Sequence, residues 1–215
     1  MIKLVSAVLL LTVIGALAGC QSAYYAAWEK VGVEKREILV DRVEDARESQ
    51  EEAEKQFSSA LEEFSALLQF DGGELEDAYQ SLSDQYEASK SAADDVTTRI
   101  DKIESVAEAL FDEWEAELEE YSNAGLKRSS QQTLNETRLK YNKMLRAMRR
   151  VENSMQPVLQ TLQDNVLYLK HNLNASAVGA LQGELSTIQR DVKSLLADMQ
   201  TAIAQSDAFI AGMGR

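Results

Sequence analysis

The chain is poor in the residues that carry chemistry by themselves. Its 215 residues include one cysteine, Cys20, so no disulfide can form within it. One histidine, His171, is too few for an imidazole metal cluster or a histidine-based catalytic triad. There is one proline, Pro157, few glycines, and no glycine- or serine-rich stretch to mark a linker between domains. The one extended apolar run, residues 4–13, falls short of the roughly 20 residues that cross a bilayer. Cations are outnumbered, with 22 Lys and Arg against 36 Asp and Glu. The resulting net charge of -14 disfavours general nucleic-acid binding.

What remains is a helix-forming composition rich in Ala, Leu, Glu, Gln, Ser and Lys. Apolar residues recur at alternating steps of four and three. The pattern is clearest from Leu75 through Tyr79, Leu82 and Tyr86 to Leu110 and Trp114, and it continues to Leu118 and Tyr121. A first seam runs from Leu39 through Gln50 and Phe57 to Leu67. A third runs from Leu134 through Met148 to Leu169, and a fourth from Val178 through Leu185 to Met199. Heptad seams of this length predict coiled-coil packing. Breaks are expected at Asp71, Gly72 and Gly73, at residues 122–125, and at Asn172 to Asn174. Short breaks force neighbours antiparallel. The predicted fold is therefore all-α: one elongated antiparallel coiled coil or four-helix bundle over residues 20–215. If the last break stays helical, the alternative is three long helices with a BAR-like shape. Pro157 lacks an N–H and should kink its helix.

The first 19 residues have a different character. Lys3 supplies a positive start, an apolar core follows, and Gly15, Ala16, Ala18 and Gly19 make a small-residue exit. This is the pattern of a secretory signal peptide. Leu17, Ala18, Gly19 and Cys20 resemble a bacterial lipobox. That resemblance implies a diacylglyceryl group on Cys20, which becomes the new N-terminus, with about three acyl chains in all. Gln21 stands where an aspartate is associated with inner-membrane retention. By that rule the expected address is the periplasmic face of a Gram-negative outer membrane.

Two stretches carry a further resemblance: residues 110–115, LFDEWE, and residues 158–181, VLQTLQDNVLYLKHNLNASAVGAL. With residues 141–157 between them, they resemble an uncharacterised family of bacterial envelope lipoproteins, known only as a domain of unknown function. The resemblance implies a secreted helical protein and no particular activity.

Candidate sites are few. Tyr24, Tyr25 and Trp28 follow Cys20 closely and would either sit at a membrane interface or pack onto the bundle end. His171 reads as a helix C-terminal residue with Asn172 or Asn174 capping the turn. The basic stretch Lys127, Arg128, Arg138, Lys140, Lys143, Arg146, Arg149 and Arg150 contains only Glu136 among its cations. It either pairs with the acidic second helix or contacts phosphate headgroups or an acidic partner. No catalytic residue, cofactor, metal or small-molecule substrate is expected. The expected function is that of a lipid-anchored structural or adaptor protein, binding a protein partner or itself through its helices. The alternative is a curved, membrane-shaping dimer with Arg138, Lys143, Arg146 and Arg150 on one concave face.

Overall fold

A computed structural model describes residues 34–68, 75–173 and 175–214. They form four long helices and one short one: α1 (Lys35–Leu68), α2 (Leu75–Leu118), α3 (Ala124–His171), α4 (Ala175–Leu181) and α5 (Leu185–Gly212). The seams expected from spacing are the buried stripes. Leu39, Val43, Ala46, Ala53, Phe57, Ala60 and Phe64 line α1, and Leu134, Met144, Met148, Val151, Met155 and Leu162 line α3. In a protein most of a helix's stability comes from burying such a stripe.

Cross-helix contacts fix how the helices are arranged. Lys35 pairs with Glu113 at 2.8 Å, Arg99 with Asp45 at 3.5 Å, and Ser81 donates to Glu63 at 3.0 Å. Low numbers on α1 thus meet high numbers on α2, which is an antiparallel register. On its other side α1 meets α5, where Gln200 donates to Glu54 at 3.0 Å and Arg47 lies 3.7 Å from Asp207. The helix α3 packs between α2 and α5, so the order around the core is α1, α2, α3, α5 and back to α1. This is an up-down-up-down four-helix bundle, and the three-helix alternative does not hold.

Some details differ from expectation. The helix α2 stops at Leu118, and Tyr121 lies beyond it, exposed. Val106 and Phe111 are buried although they lie off the seam, because α2 faces both α1 and α3 and needs a wider apolar stripe. The fourth seam is interrupted: a turn at residues 182–184 separates α4 from α5, with Gly183 unfavourable in a helix interior. The helix α3 runs unbroken through Pro157, which sits on its solvent face. The Asn123 side chain caps α3 by accepting from the N–H groups of Gly125 and Leu126. At the other end Asn172 donates its amide to the Tyr168 carbonyl, and His171 is the last helical residue, exposed as expected. The expected turn at Asp71, Gly72 and Gly73, together with Asn174, Cys20, Tyr24, Tyr25 and Trp28, lies outside the described residues.

Gln50 is the one seam residue of α1 that breaks the apolar rule at no exposure at all. Neither atom of its amide has a hydrogen-bond partner among the described residues. An unsatisfied buried polar group costs about 1–3 kcal/mol, so Gln50 works against stability. Replacing it with Met, of similar shape, should raise stability by about that amount and Tm by roughly 2–4 °C per kcal/mol. Thermal melting monitored by circular dichroism reads this directly, and a fall in Tm would show that the amide is satisfied.

Candidate functional site

The basic residues of α3 do not act as one patch, because α3 has two flanks facing different neighbours. The flank toward α2 carries Lys127, Arg138 and Arg149. Lys127 pairs with Glu119 at 3.0 Å, and Arg138 pairs with Glu115 while its guanidinium lies 5.0 Å from the centre of the Phe111 ring. Arg149 donates to Asp101 at 2.7 Å, to Glu152 at 2.8 Å, and to Glu104. Partial burial opposes its charge, but the hydrogen bonds it donates to Glu104, Glu152 and Asp101 outweigh that and hold its pKa above the ordinary arginine value. Beneath this flank Tyr141 meets Phe111 edge-on at 5.4 Å and Phe209 at 6.3 Å, which ties α2, α3 and α5 together. Burial, and then the nearby Glu104, push the Tyr141 phenol well above its usual range.

The flank toward α5 is different. Lys140 lies across the last turn of α5, its Nζ 3.1 Å from where a side chain on Gly212 would begin. A cation there complements the free carbonyls of a helix C-terminus. One turn further along, Lys143, Arg146 and Arg150 line a groove of about 230 Å³ with Ala147 of α3 and Asp198, Thr201 and Gln205 of α5. All three cations are exposed, and none is within ion-pair distance of a carboxylate among the described residues. Asp198 instead accepts from the Ser154 hydroxyl at 2.8 Å. Arg128 is exposed in the first turn of α3, apart from both groups.

The expected basic stretch is thus brought together only in part. Lys143, Arg146 and Arg150 share a groove, and Arg138 and Arg149 are turned to α2. Spacing alone did not point to Ala147, Thr201 and Gln205. The signal for Thr201 and Gln205 was the polar stripe at 198, 201 and 205 beside the buried row of α5, legible only once α5 is known to lie beside α3. Among the described residues no group of His, Cys, Asp and Glu is placed to hold a metal ion. No described helix is long and apolar enough to cross a membrane.

The α2 flank gives a measurable expectation. In an Arg149→Gln variant Asp101, Glu104 and Glu152 are left facing one another without their shared cation. Allowing for solvent screening at this partly exposed site, the loss should be about 1–2 kcal/mol. Thermal melting at low salt should show Tm lowered by roughly 2–8 °C, with the gap narrowing in 1 M salt. An unchanged Tm at low salt would mean that the network contributes nothing to holding α3 against α2.

No curated protein matches the sequence significantly. The family described as "Protein of unknown function (DUF2959)" matches residues 24–213, which takes in every described helix and both stretches that carried the resemblance. The chain belongs to that family.

Proposed function

We propose that this protein is a non-enzymatic, lipid-anchored structural or adaptor protein, held at the periplasmic face of a Gram-negative outer membrane. The observation that carries this reading is the closed bundle. The apolar seams are consumed inside it, so what it offers a partner is the outside of helices up to 48 residues long. Among the described residues Asp94, Asp95, Asp101 and Glu104 lie on solvated helix faces, in ion pairs with Lys90, Arg99 and Arg149. The anchor rests on residues 17–20, ahead of the family match, and a lipid with two or more chains holds stably. The membrane-shaping alternative asks for Arg138, Lys143, Arg146 and Arg150 on one concave face. Arg138 is engaged by Glu115, and the helices close on themselves, so the adaptor reading is the better supported one.

Growth of a Gram-negative host with a clickable palmitate analogue tests the anchor. The wild-type chain should carry label and fractionate with outer membranes, and a Cys20→Ser variant should carry none and leave them. Crosslinking of the wild type in intact cells should then recover other envelope proteins. An unlabelled wild-type chain would remove the anchor, and recovery of self-crosslinked species alone would remove the adaptor role.

A further inference from the structure

The α3–α5 groove gathers three cations with no ion-pair partner among the described residues, in a chain of net charge -14. The cations on the opposite flank of the same helix, Lys127, Arg138 and Arg149, are each paired with a carboxylate. Lys143, Arg146 and Arg150 instead repel one another across a groove whose single acid, Asp198, is hydrogen-bonded to Ser154. Ala147, on the same helix, also lines the groove and adds only a methyl group to its wall. From the far wall Gln205 brings an amide that can donate, while the Thr201 hydroxyl is committed to the Ala197 carbonyl at 2.9 Å.

The geometry points to an anion site, and we propose that this groove binds a phosphomonoester through Lys143, Arg146, Arg150 and Gln205. Two guanidinium groups match the paired oxygens of a phosphate, and the lysine adds a point charge. Three cations against the one carboxylate of Asp198 leave the groove a net charge of about two, which a dianion matches more fully than a carboxylate does. The site does not depend on the lipid anchor. Two sources share this chemistry: a soluble phosphate ester, or a lipid whose headgroup ends in phosphate. Leu139 stands one helical turn before Lys143 and is 69 % exposed, placed to meet the apolar part of a lipid ligand.

Isothermal titration calorimetry on the full chain, held in neutral detergent, tests the proposal. The probes are glycerol 3-phosphate and short-chain phosphatidic acid, with short-chain phosphatidylcholine as the zwitterionic control. An Arg146→Gln/Arg150→Gln variant should bind at least tenfold more weakly. An Arg128→Gln/Lys193→Gln variant, which loses the same charge elsewhere, should change less than twofold. Binding of both phosphomonoesters supports the site through phosphate alone. Binding of phosphatidic acid only supports a lipid ligand, and binding of glycerol 3-phosphate only supports a soluble one. Binding of neither, equal binding of phosphatidylcholine, or equal loss in the two variants would overturn it.

Discussion

The whole arrangement depends on α5 folding back between α1 and α3. Three antiparallel helices would leave the seams of α1 and α3 open along one side, each with a row of large apolar residues facing water. The helix α5 fills that side with Ile188, Val192, Leu195, Met199, Ala202 and Phe209, and the core closes. At about 25 cal/mol per Å² of apolar surface removed from water, covering such a row is the dominant favourable contribution. The end of α3 at His171 and the turn at residues 182–184 make this return possible.

Closure also decides the electrostatics. Once α3 has α2 on one flank and α5 on the other, its cations meet very different company. The helix α2 carries thirteen acidic residues and α5 carries three, Asp191, Asp198 and Asp207. Cations turned to α2 are absorbed into ion pairs, and those turned to α5 outnumber what it can answer. The groove follows from that imbalance rather than from any special local geometry. It lies some 19 residues along α3, about 28 Å from the end of the bundle where α1 and α3 begin. A bundle standing upright on its first helix would hold the groove clear of a bilayer, and one lying flat would bring it to the surface. The source of the proposed phosphomonoester and the posture of the rod on its proposed anchor are therefore one question.

The sequence made the helical class and most of the core legible, because a four-three repeat admits few other readings. All nine residues expected for the first seam are buried, Gln50 among them. Val106 and Phe111 escaped because a heptad seam describes contact with one partner, whereas a bundle helix touches two. The turn at Gly183 escaped because the seam stays in register across it, from Leu181 to Leu185. The basic stretch was visible at once, but its division into a paired flank and an open one was not. That division depends on which helix lies on either side of α3, and neither composition nor spacing gives the order of helices around a core.

The return of α5 is best tested by pulsed electron resonance between spin labels at Asn142→Cys and Ala211→Cys, both exposed, in a Cys20→Ser background. Packed helices lie about 8–10 Å apart, so with the label arms the bundle predicts a separation under about 30 Å. A single rod fusing α3 and α5 would put the two labels roughly 100 Å apart, and a distribution without a short component would contradict the closed bundle.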